Sequence, residues 1–334
     1  MTTSITRRFL AHFIRSITYV LWAADWSTGL RPVVYFLIII YSALFVGIRS
    51  ADLGSVLNGV LVSYKYTPYE TISFEKIYPL KSGVQLPPAI SAISAGVYDR
   101  RSGKTLFSRL PEEKLAPAST TKLMTTLVAL ELYSPEEKVT VPYFCTNIES
   151  TKAWLPADEE FTARDLIYTM LVGSAGDAAC ALATSKVSYS EFVDKMNQKA
   201  VVLGMKNTNF VNPIGLDGFK GVHYSTVSDL YLLALASLSN ETVQNAVKTK
   251  EFTVKSLTSD FTYKMTNTNR FLWEIAGTTG IKTGTTVGAG EVLIYGWKDK
   301  DRELVLIVMG SRDRFGDTRN LLNWSLDNYT WKTD

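Results

Sequence analysis

The chain has 334 residues, of which 46% are hydrophobic and 20% charged, a balance that argues against a disordered chain and fits one large globular domain or two small ones plus a short membrane element. The net charge is only +3 and the basic residues are dispersed, so no patch resembles a nucleic-acid footprint. The phosphate-binding pattern G-x-x-x-x-G-K-[ST] is absent as well, and we expect no nucleic-acid partner.

The first strong feature in chain order is an uncharged apolar run, residues 32–48, bounded by Arg31 and Arg49. As a helix it is roughly 25 Å long, enough to span a thin hydrocarbon core. Arginines outnumber acids before it, so the positive-inside rule places residues 1–31 in the cytoplasm and the chain after residue 50 outside. We predict an uncleaved single-pass anchor. A cleaved signal peptide is the alternative, disfavoured by the long run and the lack of a clean A-x-A site.

The segments on either side of this run have different characters. Before it, apolar side chains between residues 9 and 24 recur with helical period, which predicts a helix lying in the inner membrane interface and held by anionic lipid. A second spanning helix is the alternative, disfavoured because Arg15 would then lie in mid-membrane. After it, residues 49–88 mix aromatic and polar side chains and predict a stalk or a segment that covers the domain.

The remaining elements predict one α+β domain over residues 89–334. Residues 89–110 contain two apolar strands flanking RSGK, a hairpin pattern, and residues 119–133 form a helix that is apolar on nearly all sides and therefore central. FTARDLIYTMLVGSAGDAACALA predicts one or two helices, and YSEFVDKMNQKAVVLGM an amphipathic helix ending at Gly204. GIKTGTT, GEVLIYGWK and ELVLIVMGS predict strands, and TRNLLNWSLDNYT a closing helix. This order predicts a sheet that joins both ends of the domain.

Cys145 and Cys180 are the only cysteines. Cys180 lies in DAACALA, a helical run of small residues in which a buried free thiol is the commoner state. We therefore expect free thiols, with a disulfide between the two residues as the alternative.

The stretch PASTTKLM places Ser119 three residues before Lys122 at the start of the central helix. Serine is a poor nucleophile until a base takes its proton, and residues i and i+3 share one helix face. Burial in an apolar helix lowers the pKa of a lysine, which makes Lys122 a usable base near neutral pH. The alternative is a helix-capping serine followed by a surface lysine. His12 precedes the anchor, so only His223 could serve a Ser-His-Asp triad, and we expect it to be a loop histidine with its hydrogen bonds satisfied.

Two further motifs follow in chain order: S-x-x-D-A beginning at Ser174, and K-T-G-T beginning at Lys282. With S-x-x-K they match the pattern of penicillin-recognising serine enzymes. Over roughly residues 89–332 the chain resembles the D-alanyl-D-alanine carboxypeptidases of the penicillin-binding-protein group, also in NTNFVNPIGLDG, HYSTVSDL, TNTNRFL and RFGDTRNLLNW. The resemblance implies a β-lactamase/D,D-peptidase-like fold with a central antiparallel sheet and a block of helices.

The resemblance also implies catalytic roles. Ser119 would attack the carbonyl of the penultimate D-alanine and form an acyl-enzyme, with Lys122 as its general base. Ser174 would relay a proton toward the leaving D-alanine nitrogen. The backbone N–H groups of Ser119 and Thr285 would form the oxyanion hole, where one donor is worth about 3 to 4 kcal/mol of transition-state stabilisation.

The third motif would bind substrate. Lys282 and Thr283 would hold the terminal carboxylate, and Gly284 would allow close backbone approach to the substrate. Arg314 is a further candidate for the carboxylate because a late arginine assists in relatives, with an exposed structural arginine as the alternative. Asn212 and Asp217 are expected to build a turn. The implied partners are peptidoglycan stem peptides, β-lactams as covalent inhibitors and membrane lipid, and no metal or organic cofactor is implied.

One position departs from the family. Its second motif normally reads S-x-N, and the asparagine amide helps to hold the lysine and contacts the substrate's peptide carbonyl; here the residue is Gly176. Either water or Asp177 supplies the missing contact, or turnover is reduced. A carboxylate that reached Lys122 would raise its pKa and weaken it as a base.

The leading hypothesis is a membrane-anchored serine D-alanyl-D-alanine carboxypeptidase, single-pass, with an extracytoplasmic catalytic domain. An endopeptidase that cuts cross-links would use the same groups. A β-lactamase is disfavoured because no E-x-x-L-N run supplies a deacylation base. A catalytically weak or inactive penicillin-binding or wall-binding protein stays open because of Gly176.

Overall fold

The computed structural model describes residues 78–218 and 222–332. The strands are β1 (Tyr78–Lys81), β2 (Ser94–Asp99), β3 (Thr105–Arg109), β4 (Lys138–Thr140), β5 (Glu160–Thr162), β6 (Glu251–Lys255), β7 (Thr262–Thr266), β8 (Thr278–Thr286), β9 (Gly290–Asp299), β10 (Arg302–Ser311) and β11 (Tyr329–Lys332). The helices are α1 (Lys122–Leu132), α2 (Tyr143–Thr146), α3 (Ala163–Val172), α4 (Gly176–Thr184), α5 (Tyr189–Val202), α6 (Val227–Leu238), α7 (Glu241–Lys248), α8 (Phe271–Glu274) and α9 (Arg314–Asn328), and a 3₁₀ turn (Ala118–Thr121) precedes α1.

A five-stranded antiparallel sheet forms the centre of the domain, in the order β3-β2-β10-β9-β8. The N-terminal hairpin β2–β3 joins the C-terminal strands through the β2–β10 pair, in which Tyr98 lies opposite Val305. The predicted α+β class, the hairpin and the sheet that unites both ends of the domain are confirmed. Smaller two-stranded sheets pair β1 with β11, β4 with β5 and β6 with β7.

Both faces of the sheet are covered, which explains why β9 and β10 are nearly continuous apolar runs. Side chains alternate between the faces along each strand. Val292 and Ile294 of β9 belong to the core shared with the helical block, whereas Leu293 and Tyr295 belong to a second core on the opposite face, where α9 packs through Leu321. The sheet is therefore the middle layer between α9 and the helical block.

Helix α1 is the central helix of the helical block, as its sequence predicts. Every residue of Lys122–Ala129 is buried, and α1 contacts α3, α4, α5 and α6. The 3₁₀ turn that leads into it lies against β8 and β9. This packing brings the start of α1 to the edge of the sheet formed by β8, the strand that carries K-T-G-T.

Other elements refine the predictions. FTARDLIYTMLVGSAGDAACALA forms two helices, α3 and α4, separated at residues 173–175. Helix α5 ends before Gly204, which has a φ of +78° as a left-handed cap requires. The closing helix α9 begins at Arg314 rather than at the predicted Thr318, because the Asp313 carboxylate accepts a hydrogen bond from the backbone N–H of Gly316 at 2.9 Å and caps it.

The described part of the segment 49–88 lies on the domain. Strand β1 pairs with β11, the Asn328 side chain accepts a hydrogen bond from the Gln85 backbone at 3.0 Å, and the Trp324 indole donates to the Gln85 carbonyl at 3.1 Å. Residues 1–77, with the predicted interfacial helix and the predicted transmembrane helix 32–48, lie outside the described residues. Across residues 78–218 and 222–332, no helix is long and apolar enough to cross a membrane.

The expectation of free thiols is wrong: Cys145 and Cys180 form a disulfide, with their Cα atoms 5.5 Å apart. The short helix α2, which the sequence pattern does not predict, brings Cys145 against the middle of α4. The two residues are 35 positions apart, so only this packing makes them partners.

Candidate active site

Ser119 and Lys122 meet at the start of α1. The Lys122 ammonium group lies 3.0 Å from the Ser119 hydroxyl and donates to the Ile214 carbonyl at 2.5 Å. Ser119 is half-buried, whereas Lys122 is fully buried. The alternative of a surface lysine is thus wrong, and the pair has the geometry in which a base can take the serine proton.

The burial of Lys122 sets its protonation. Desolvation lowers the pKa of Lys122 to about 7, against the opposing charge of Asp177, which raises it. Neutral Lys122, which can accept a proton, is therefore accessible near neutral pH.

A turn from the stretch NPIGLDG holds Lys122 in place. The Asn212 side-chain oxygen accepts hydrogen bonds from the backbone N–H groups of Ile214, Gly215 and Leu216 at 3.1, 2.7 and 3.1 Å. This aims the Ile214 carbonyl at Lys122. Gly215 has a φ of +89°, and a Cβ there would lie 2.0 Å from the Ala118 carbonyl oxygen, so only glycine fits. The predicted turn role of Asn212 is confirmed.

Ser174 and Lys282 form a second contact pair. The Lys282 ammonium group lies 3.0 Å from the Ser174 hydroxyl and 3.0 Å from the Thr283 carbonyl oxygen. Ser174 connects α3 to α4 in a left-handed conformation, with a φ of +58°, which is uncommon for a residue other than glycine. The loop between the two helices thus directs the Ser174 side chain at β8.

The K-T-G-T strand lies beside the turn that carries Ser119. A Cβ at Gly284 would lie 2.8 Å from the Ser119 backbone nitrogen and 2.8 Å from the Ala118 Cβ, so the strand can approach this closely only with glycine. Thr283 is held by a hydrogen bond of 2.5 Å to Thr268, and Thr285 is exposed. The glycine therefore keeps the N–H of the predicted nucleophile uncovered.

Arg314 lies at the same strand. Its guanidinium donates to the Gly284 carbonyl at 2.8 Å and to the Thr285 hydroxyl. It is partly buried, and burial lowers its pKa. Arg314 is therefore not fully exposed, because the N-terminus of α9 places its guanidinium beside β8.

The site brings three basic side chains together: Lys122, Lys282 and Arg314. Burial, together with the charges of Lys122 and Arg314, holds the pKa of Lys282 well below its usual range. No ion pair within residues 78–218 and 222–332 joins any of these three cations to an acidic side chain. An anionic ligand would relieve this repulsion, so the arrangement favours a carboxylate.

At the second motif, Gly176 and Asp177 contact residues 147–155, here called the strap. Asp177 is buried and accepts hydrogen bonds from the backbone N–H groups of Ala153 and Leu155, each at 3.1 Å. Its carboxylate is thus bonded to the strap and not to Lys122. The space beside Gly176 is filled by the side chain of Ser150.

His223 takes no part in this set. Its ring nitrogens lie 3.0 Å from the Thr121 hydroxyl and 3.0 Å from the Val211 backbone nitrogen, and burial lowers its pKa to about 4. The predicted loop histidine with satisfied hydrogen bonds is confirmed.

The structure therefore brings all the sequence-predicted site residues to one end of the sheet. Sequence reasoning did not single out Ile214 or Ser150. Ile214 acts through its backbone carbonyl, which leaves no side-chain signal in the sequence. Ser150 lies 24 to 26 residues before the second motif, where nothing in the sequence marks it.

The S-x-x-K, S-x-x-D-A and K-T-G-T motifs, which the three-layered α+β fold brings to one site, match the penicillin-recognising class of serine enzymes. The family model described as D-alanyl-D-alanine carboxypeptidase matches residues 81–313, so the chain belongs to the D-alanyl-D-alanine carboxypeptidase family.

Relatives agree with this assignment. The chain is 32% identical to the D-alanyl-D-alanine carboxypeptidase DacF of Bacillus subtilis, covering 72% of this chain and 64% of that protein. Thus it spans less than two thirds of that relative. It is 32% identical to a D-alanyl-D-alanine endopeptidase of Pseudomonas aeruginosa, covering 74% of this chain and 81% of that protein. Among solved structures, the Streptomyces K15 DD-transpeptidase matches with a TM-score of 0.69 and 29% identity, over 72% of this chain and 99% of that one.

Proposed function

We propose that this protein is a serine D-alanyl-D-alanine carboxypeptidase that removes the terminal D-alanine from peptidoglycan stem peptides through an acyl-enzyme. The observation that carries the proposal is the 3.0 Å approach of the buried Lys122 ammonium group to the Ser119 hydroxyl. Peptide hydrolysis by serine needs this pairing of a nucleophile with a base.

In the acylation step, neutral Lys122 takes the proton of Ser119 while the serine oxygen attacks the carbonyl of the penultimate D-alanine. The backbone N–H groups of Ser119 and Thr285 are proposed to stabilise the negative charge on the carbonyl oxygen. The C–N bond then breaks. Ser174 relays the proton held by Lys122 to the departing D-alanine nitrogen, so D-alanine leaves as a neutral amine, Lys122 is neutral again and the peptide stays bonded to Ser119.

Carboxylate recognition is assigned to the cationic end of β8. Lys282, Thr283 and Arg314 line this end, and neither Lys282 nor Arg314 forms an ion pair among the described residues, so a terminal carboxylate gains charge-assisted hydrogen bonds there. Binding of that carboxylate would also raise the pKa of Lys282 and favour its charged form. Water then attacks the acyl-enzyme carbonyl while Lys122 takes a proton from it. Lys122 returns this proton to the Ser119 oxygen as the ester bond breaks, which releases the shortened peptide.

The membrane location is part of the proposal. Residues 32–48 would anchor the chain, with residues 1–31 in the cytoplasm and the catalytic domain outside, where its wall substrate is found. The Cys145–Cys180 disulfide supports an oxidising compartment for the catalytic domain. Protease added to intact spheroplasts should digest residues 78–332, whereas a cytoplasmic domain would be protected.

The primary test uses the full chain purified in detergent and a synthetic peptide ending in D-Ala-D-Ala. We expect release of D-alanine by the native protein and none by Ser119→Ala, together with covalent attachment of labelled penicillin at Ser119. Attachment of penicillin without release of D-alanine would overturn the carboxypeptidase proposal and favour a penicillin-binding protein without turnover.

A second candidate is the D,D-endopeptidase reaction, which uses the same groups on a cross-linked peptide. It is favoured by the relatives named D-alanyl-D-alanine endopeptidase in Pseudomonas aeruginosa and in Escherichia coli, each 32% identical to this chain. Incubation with a cross-linked muropeptide dimer distinguishes the two, since an endopeptidase yields monomers and a carboxypeptidase yields free D-alanine.

A further inference from the structure

The space in which a side chain at position 176 would lie is occupied by the strap. A Cβ added to Gly176 would be 2.6 Å from the Ser150 hydroxyl oxygen, 2.7 Å from the Ser150 Cβ and 3.0 Å from the Ile148 Cδ1. Cβ atoms do not approach other atoms this closely in folded proteins. The absence of a side chain at Gly176 therefore leaves no cavity, because the Ser150 side chain occupies that space.

Several independent contacts hold the strap in this position. The Gly176 backbone N–H donates to the Thr151 carbonyl at 2.7 Å, and the Asp177 carboxylate accepts from the Ala153 and Leu155 backbones. Just before the strap, the disulfide at Cys145 fixes the chain to α4. Ser150 is therefore held against the second motif by the disulfide before it in the chain and by the hydrogen bonds of the residues after it.

The Ser150 hydroxyl is available to a ligand. It is half-buried, and it makes no hydrogen bond to any other residue in the ranges 78–218 and 222–332. It touches position 176, whose Cα is at most about 7.6 Å from the Cα of Ser174, because consecutive Cα atoms are 3.8 Å apart. A half-buried polar group that packs on the second motif and has no protein partner is suited to bind substrate.

We infer that Ser150 is a substrate-contacting residue of this site: its hydroxyl, carried by the strap, supplies the polar group that position 176 lacks and hydrogen-bonds to the backbone of the D-Ala-D-Ala peptide. This inference rests on the proposed function and assigns that site one more specificity determinant. It also predicts that Gly176 and Ser150 are coupled, because the two positions share one space.

The experiment measures kcat and KM for a D-Ala-D-Ala peptide with the full chain in detergent, for four variants beside the native protein. Ser150→Ala removes the hydroxyl and keeps the Cβ that packs on Gly176. Gly176→Asn adds a side chain where Ser150 lies. The double variant Ser150→Gly with Gly176→Asn removes the Ser150 side chain and places an asparagine side chain in the same space. Ser190→Ala, which changes an exposed serine of α5, is the matched control.

We expect Ser150→Ala to lower kcat/KM by about 3- to 10-fold, the effect of one lost hydrogen bond, with an unchanged Tm. Gly176→Asn should lower kcat/KM further because its Cβ collides with Ser150. The double variant should recover to within about 3-fold of the native value. A native kcat/KM in Ser150→Ala, or a double variant no better than Gly176→Asn, would overturn the inference.

The same proteins are also assayed for the rate of attachment of labelled penicillin, which keeps the two proposals apart. If the native protein releases D-alanine but Ser150→Ala behaves like Ser190→Ala, the inference fails and the proposed function stands. If the native protein releases no D-alanine, the proposed function fails; Ser150 is then judged by penicillin attachment, where a rate unchanged by Ser150→Ala also overturns the inference.

Discussion

The first and second motifs of this site are built in different ways. Around Ser119 and Lys122, one short stretch of chain supplies the nucleophile, the base and the buried helix that adjusts the base. At the second motif the local sequence ends in Gly176, and a segment 24 or more residues away completes the surface with Ser150. A motif can therefore predict the chemistry of a site whose last contacts come from elsewhere in the chain.

The two regions also differ in how they hold a charge. Lys122 is buried with a pKa near 7, because desolvation outweighs the charge of Asp177. Asp177 is equally buried, but backbone N–H groups of the strap bind its carboxylate. Burial of Lys122 thus prepares the first motif for proton transfer, whereas the buried carboxylate of Asp177 holds the strap at the second motif.

The largest expected effect belongs to the first motif. Lys122→Met removes the base while nearly preserving its volume, and we expect acylation by labelled penicillin to slow by about 1,000-fold or more. Thermal unfolding is the control: the Tm should not fall, since a buried amine has been removed. A loss of less than about 10-fold would show that Lys122 is not the base.

The next effect tests the close approach of β8 to the nucleophile. Gly284→Ala places a Cβ 2.8 Å from the Ser119 nitrogen and should lower kcat/KM by about 100-fold, comparable to the loss of one oxyanion donor. Gly103→Ala is the control, because its new Cβ would have nothing within 4 Å; unlike Gly284, Gly103 has a positive φ of +73°, at which alanine is strained. It should reduce stability slightly and leave kcat/KM unchanged.

The disulfide tests the second region. Replacing Cys145 and Cys180 with serine opens a loop of 35 residues and should lower the free energy of unfolding by about 3 to 4 kcal/mol, measured by denaturant unfolding. Activity should fall by less than in the two variants above, since the Asp177 contacts remain. Full activity together with full stability would show that the cross-link does not hold the strap.

The smallest expected effect is a shift in the pH dependence of acylation, because the charge of Asp177 in the second motif acts on Lys122 in the first. Because neutral Lys122 is the active form, the acylation rate should rise with pH through a midpoint near 7 and then level off. The Asp177 charge raises the pKa of Lys122, so Asp177→Asn should move this midpoint to lower pH. A midpoint that stays fixed in Asp177→Asn would show that the carboxylate charge does not reach the lysine.

Much of the fold and site follows from sequence. The periodic apolar strands and the uniformly apolar helix at residues 119–133 predict the α+β class and the central helix, since burial on two faces or on all sides leaves its pattern in the chain. The S-x-x-K spacing alone puts Ser119 and Lys122 on one face of a helix turn. These features are local, and local rules suffice for them.

Tertiary structure decided the contacts between distant segments. Four contacts join residues that are far apart in sequence. They are the Cys145–Cys180 disulfide, the hydrogen bond from Lys122 to the Ile214 carbonyl, the contact of Arg314 with β8 and the packing of Ser150 on Gly176. Periodicity and spacing report which face of an element is buried, but not which distant atom will fill the space beside it. That choice depends on close packing of the whole domain, which only the folded chain establishes.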